Sequence, residues 1–257
     1  MQKNTTMTTT TADQIRGLRA DRDALLRIAE GLRPEQWGAP SGCAGWNTKD
    51  LVSHLGSLFW AVVDGSVNPD TSGLAVEEAV SVQVEARRAL NPAEVLADYE
   101  NVSSRALEAL TVVATLDMDV PFSDFESYPA SVVPLAFCFD HYTHIRFDLV
   151  IPRGSVDAVP PPSDALRLAP TLDWIEVALP RQNPGALAAL PGRIDLVVSG
   201  PGGRTISLGG GKLVATVESD GPGFVCWVTR RGEWDDLGVK AEGSPEALEV
   251  TRSIKVY

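Results

Sequence analysis

The sequence predicts a two-domain α+β protein: a four-helix bundle followed by a small α+β domain whose sheet is rich in antiparallel pairs. Three observations carry this. Four amphipathic stretches with helical spacing fill roughly the first 150 residues, with no strand pattern between them. A stiff break from Ile151 to Pro162 follows, holding Pro152, Gly154, Pro160, Pro161 and Pro162, the composition of a linker. Beyond it the hydrophobic period changes from that of a helix to alternation of β-branched residues. The expected boundaries are a mobile leader over 1–11, a helical bundle over 12–152, a proline-rich linker over 153–162 and the α+β domain over 163–257.

Residues Met1 to Thr11 are polar and threonine-rich, without the apolar run of a signal peptide, and Met7 is an alternative start. The first helix is expected from Thr11 to Gly31, with Ile15, Leu18, Leu25, Ala29 and Leu32 facing inward and Gly31 as its stop;. A loop with Pro34, Pro40, Gly42 and Gly45 leads to the next helix. There Asn47 is a good N-cap, Asp50 sits where a carboxylate favours a helix start, and Leu51, Leu55, Leu58 and Val62 make a buried stripe;. Val63-Asp64-Gly65 closes it, and residues 66 to 90 fit no single pattern, a helix over Val76 to Leu90 being one reading. Asn91-Pro92-Ala93-Glu94 spells another start, after which Val95, Tyr99, Val102, Ala106, Leu110 and Val113 mark one face down to Leu116;. Past a long connection, Asp117 to Pro129, the last bundle helix is expected from Ser131 to Ile151, with Pro134 tolerated near its first turn;. In the second domain Leu166 to Leu179 reads as a helix interrupted by Pro170. Strands are expected at Arg193–Val198, Thr205–Leu208, Leu213–Val217, Phe224–Val228 and Leu248–Val256, with a turn at Gly200-Pro201-Gly202-Gly203;.

The net charge of −12, with no basic run to offset it, excludes nucleic acid and anionic membranes as natural partners. No apolar run approaches the ~20 residues of a membrane span. Cys43, Cys138 and Cys226 are odd in number and widely spaced. They form neither a disulfide framework nor a CxxC zinc pattern, which suits a reducing cytoplasm. The expectation is a soluble cytoplasmic protein, monomer or homodimer, whose partner is a small molecule.

The chain has three histidines. His54 falls within the apolar stripe, where its ring nitrogens need partners. His141 and His144 sit together on the last bundle helix, where Asp140, His144 and Asp148 are spaced i, i+4, i+8 and project from nearly one face. An Asp-x-x-x-His pair plus a histidine from a facing helix supplies three donors and leaves a fourth position open, as in catalytic zinc sites. His141 is the alternative donor. The competing reading makes His54 a core histidine bonded to a backbone carbonyl, and Asp140 with His141 a buried hydrogen-bonded pair.

Pro40-Ser41-Gly42-Cys43-Ala44-Gly45 and Trp46 to His54 resemble the N-terminal signature of mycothiol-dependent maleylpyruvate isomerases and their DinB-like relatives. That pattern has a small-residue loop, Gly-Trp, an Asp four residues later and His-Leu four beyond. Asp140-x-x-x-His144 is similar to the family's Glu-x-x-x-His, and the strand Gly192 to Val198 with its glycine-rich turn resembles the family's C-terminal α+β domain. The resemblance implies a DinB-like bundle with a divalent metal, most often Zn2+, on His54, Asp140 and His144, and mycothiol or a similar thiol coordinating it. Asp50 and Asp148 would orient a ligand histidine, although Asp50 also suits a helix cap. Aspartate for glutamate shortens the ligand by one methylene, so the metal sits closer to that helix or His141 takes over. The family's cation for an anionic substrate has its nearest counterpart at Arg230, in Thr229-Arg230-Arg231-Gly232, with Arg204 as a second option.

These readings converge on a metal-dependent isomerase or S-transferase that uses a low-molecular-weight thiol on a small organic electrophile. The rivals are a thiol-independent metal enzyme (hydrolase, lyase or cyclase) and a non-catalytic binding or regulatory protein on the same fold. Other signals carry less. Gly209-Gly210-Gly211-Lys212 lacks the Ser or Thr and the helix of a phosphate loop;. Cys43, just before the His54 helix, offers a nucleophile, but with no evident basic neighbour it reads as a buried or incidental thiol. Trp60, Trp174, Trp227 and Trp234 read as core.

Overall fold

Capping chemistry sets where the helices begin. In the computed structural model, which describes residues 7–122 and 125–257, Thr10 caps α1 (Thr11–Glu30) through a reciprocal bond with Asp13;. A short α2 (Pro34–Trp37) precedes α3 (Thr48–Val63), where Asn47 and Asp50 cap each other's backbone. Helix α4 (Val76–Glu85) stops short of Leu90, and Arg87 turns inward to Asn68 and the Gln83 carbonyl. Asn91 and Glu94 cap α5 (Pro92–Val113). The connection that follows is not wholly irregular: β1 (Asp119–Phe122) and β2 (Phe125–Pro129) pair antiparallel, with Val120 opposite Tyr128.

The last bundle helix departs from its expected form. A 3₁₀ turn, Ala130–Val132, leads into α6 (Val133–Thr143), and the backbone then widens into a π-helical turn, His144–Leu149. Widened turns of this kind are concentrated at functional sites. Helices α1, α3, α5 and α6 share one core, in which Leu18, Leu25, Leu51, Leu55, Phe59 and Leu110 are all fully buried. Each such side chain contributes about 1.5–3 kcal/mol of burial.

The π turn is anchored by charge. Arg146 makes a two-pronged bond to Asp21 of α1, at 2.9 and 3.1 Å, and also donates to the carbonyls of Tyr142 and Pro162. Its guanidinium lies 3.9 Å from the centre of the Tyr142 ring. The segment expected as a linker folds back on this turn: Ile151 N donates to Val156 O, Val156 N to Leu149 O, and Val156 is buried. Contacts accordingly group Thr10–Pro162 as one unit and place Thr8 and Thr9 with Ser163–Tyr257 in another.

In that second unit, α7 (Ala165–Gln182) runs unbroken through Pro170 and Pro180, and a short α8 (Pro184–Ala188) follows. Strands β3 (Arg193–Ser199), β4 (Arg204–Leu208), β5 (Leu213–Asp220) and β6 (Lys240–Gly243) form a sheet in the order β4-β3-β5-β6. The β3–β5 pair is parallel and the other two are antiparallel, with Leu196 between Ile206 and Val217. Two expected strands are helices instead. Phe224–Val228 lies in α9 (Gly221–Val228), started by Asp220 and Pro222, and its residues are buried throughout, so no polar face marks the helical period;. Most of Leu248–Val256 lies in α10 (Pro245–Ser253), which Ser244 caps with Pro245 in its first turn;. Of the expected leader, residues 1–6 lie outside the described residues. Thr8 and Thr9 bond to Asp173, which is itself buried against Arg204. No described helix is long and apolar enough to cross a membrane.

Removing one member of a buried, hydrogen-bonded ion pair strands the other charge. Asp21→Ala is therefore expected to lower unfolding free energy by about 3–5 kcal/mol in urea denaturation. A loss under about 1 kcal/mol would show that the pair does not anchor the π turn.

Candidate metal centre

Three elements converge at the end of the bundle: the loop before α3, the first two turns of α3, and the junction of α6 with the π turn. The loop is closed by its own backbone, with Ser41 N donating to Trp46 O, Trp46 N to Cys43 O and Thr48 N to Ala39 O. It is fastened to the π turn by Gly42 N, which donates to Asp148 O at 2.7 Å. A Cβ on Gly42 would lie 2.8 Å from Asp148 Cα, so only glycine allows this approach;.

His54 is buried on α3, with the Trp46 ring centre 5.0 Å from its own. The His144 ring meets it edge-on at 5.0 Å between centres. One donor atom each from His54, Asp140 and His144 lie within 4.8 Å of one another, the two histidines buried and Asp140 half-buried. Two imidazoles and a carboxylate on facing helices fit a borderline divalent cation and leave coordination positions for an outside ligand. The shorter aspartate reaches the histidines without help from His141.

It is His141 that bonds a backbone carbonyl. Its Nδ1 lies 2.9 Å from the Phe137 carbonyl, which can only accept, so Nδ1 carries the proton and Nε2 accepts from the Tyr99 hydroxyl at 3.0 Å. Complete burial pushes its pKa down to about 3. Both nitrogens are engaged within the core, and His141 stands in neither group of converging donors among the described residues.

The other expected residues fall as follows. Asp148 is fully buried and its Oδ2 lies 2.9 Å from His144 Nδ1, in position to fix that ring;. Its Oδ1 lies 3.5 Å from Arg153, which also donates to Gly42 O. Asp50 serves the cap of α3 and lies 3.7 Å from Arg88. Arg230 follows α9 in the second unit, exposed and with φ of 60°. Arg204 is held by Asp173, Thr8 and the Ala169 carbonyl, which makes it a structural residue. Cys43, set aside in the sequence for want of a basic neighbour, has one: its Sγ lies 3.7 Å from His144 Nδ1, 101 positions away, and no local pattern connects them. Cys43 and Trp46 also line an open pocket of about 680 Å³, with Asn47, Lys49, Asp50 and Arg88 on its other walls.

Burial works against a charge on His144, but the Asp148 carboxylate and then Cys43 outweigh it, and its pKa is raised to about 9. A metal at this histidine therefore competes with a proton. Without metal, a pKa raised above 6.5 gives stability that is complete below about pH 6.5 and lost as pH rises through about 9;. Metal-stripped protein is expected to lose on the order of 3 kcal/mol across that window, by denaturation at a series of pH values. Asp148→Asn should flatten the profile, and an unchanged slope in that variant would contradict the pairing.

Residues 18–144 match the family model of the mycothiol maleylpyruvate isomerase N-terminal domain. A crystal structure of mycothiol-dependent maleylpyruvate isomerase is 17% identical with a TM-score of 0.60, covering 93% of this chain and 98% of its own. A histidine-to-alanine mutant of that enzyme is 18% identical, with the same TM-score and coverage. No curated protein matches the chain. At this identity the two structures speak for the fold, a DinB-like helical unit followed by a small α+β unit. Residues 18–144 of this chain are similar to the mycothiol maleylpyruvate isomerase N-terminal domain family.

Proposed function

We propose that the protein is a metal-dependent, mycothiol-type thiol isomerase or S-transferase acting on a small organic electrophile. The observation that carries the reading is the convergence of His54, Asp140 and His144 from two facing helices, with Asp148 behind His144. His54, Asp140 and His144 would hold a divalent cation, zinc by donor type. Bound there, such a cation lowers the pKa of a coordinating thiol and so supplies a thiolate at neutral pH, the nucleophile for reversible addition to an activated alkene or for displacement.

The chain's own residues prepare the rest. Asp148 orients His144, and Trp46 packs on His54, so both imidazoles are fixed before any ligand arrives;. The pocket beside Cys43 and Trp46 is the approach for thiol and electrophile.

Metal analysis of the purified protein tests the reading. About one zinc per chain is expected in the wild type, and none in His144→Ala, while far-ultraviolet circular dichroism stays helical. Absence of metal after incubation with zinc would sink it. With metal bound, turnover of an activated alkene should require added thiol; turnover without it would move the protein to the hydrolase, lyase or cyclase class.

A further inference from the structure

Among the cysteines, Cys138 and Cys226 are buried and Cys43 is partly exposed. Cys43 stands in a second donor group, with His144 and Asp148, whose donor atoms also lie within 4.8 Å of one another. This group shares only His144 with the first.

We propose that Cys43, His144 and Asp148 form a second, thiolate-bearing seat for a soft divalent cation, alternative to the seat on His54, Asp140 and His144. Sulfur, imidazole and carboxylate together favour zinc or cadmium over harder ions. A tetrahedral zinc bonded to both would set sulfur and nitrogen about 3.5 Å apart, close to the 3.7 Å between Cys43 Sγ and His144 Nδ1. The loop needs no rearrangement to offer the sulfur, because Gly42 N is already bonded to Asp148 O in the residue before Cys43. Arg153 lies on the Oδ1 side of Asp148, so Oδ2 is the oxygen that faces His144 and the seat. Cys43 also lines the open pocket, which gives a cation its way in.

A cation entering this seat forms bonds to Cys43 Sγ, His144 Nδ1 and Asp148 Oδ2. The thiol proton and any proton on Nδ1 leave to solvent, and the hydrogen bond between His144 and Asp148 is lost. The two seats share His144, and a cation here takes the Asp148 oxygen that otherwise orients that ring;. The inference uses His144 in common with the proposed function but does not require the first seat to be catalytic.

The test is cadmium titration of the metal-stripped full chain, followed by the near-ultraviolet thiolate-to-cadmium charge-transfer absorption. In the wild type the absorption should saturate near one cadmium per chain. It should persist in His54→Ala and vanish in both Cys43→Ser and Cys43→Ala. Absence from the wild type, or persistence in the Cys43 variants, overturns the second seat. Zinc content reports separately on the first seat when the second lacks its sulfur: zinc kept by Cys43→Ser and lost when His54→Ala is added to it supports that reading whichever way the cadmium result falls.

Discussion

The site depends on Asp148. Its carbonyl receives Gly42 N, one carboxylate oxygen meets His144, and the other faces Arg153. One buried residue thus fixes the loop that carries Cys43 and Trp46 and the ring of a candidate ligand. Its charge is tolerable without water because imidazole and guanidinium flank it. The π turn makes this possible: the same six residues, His144–Leu149, present His144 at one end and Asp148 near the other. Arg146, between them, pulls the turn onto α1 through Asp21.

Burial affects two adjacent histidines in opposite ways. His141 has only a carbonyl and a tyrosine hydroxyl for company and is driven neutral, whereas His144 has a carboxylate and is driven cationic. The first is a packing residue with a polar interior. The second holds a charge that a metal can replace, which separates a structural histidine from a candidate ligand more sharply than helical spacing does.

Much of the helical unit was legible because its signals are local. The Asn47–Asp50 and Asn91–Glu94 caps, the apolar stripe through Leu51 and Leu55, and the Asp140–His144 spacing all lie within a few residues of one another. What escaped was set by tertiary context. Periodicity assumes a uniform helix, so the π turn at His144 was invisible. Helix α9 is buried on every side and α10 is short, so both passed for strands. Strand β6, Lys240–Gly243, is mostly exposed and polar and showed no alternation. The pairing of Cys43 with His144 belongs to the folded chain alone.

The bonds at Asp173 bear on how the chain can be trimmed. Backbone and hydroxyl groups of Thr8 and Thr9 both reach its carboxylate, with Arg204 on the same group. A shortened chain beginning at Thr10 would keep every helix, yet it would take four donors from a carboxylate that is 1% exposed. The residues just ahead of the first helix are therefore part of the second unit's interior chemistry, and an affinity handle belongs upstream of Thr8 rather than in place of it.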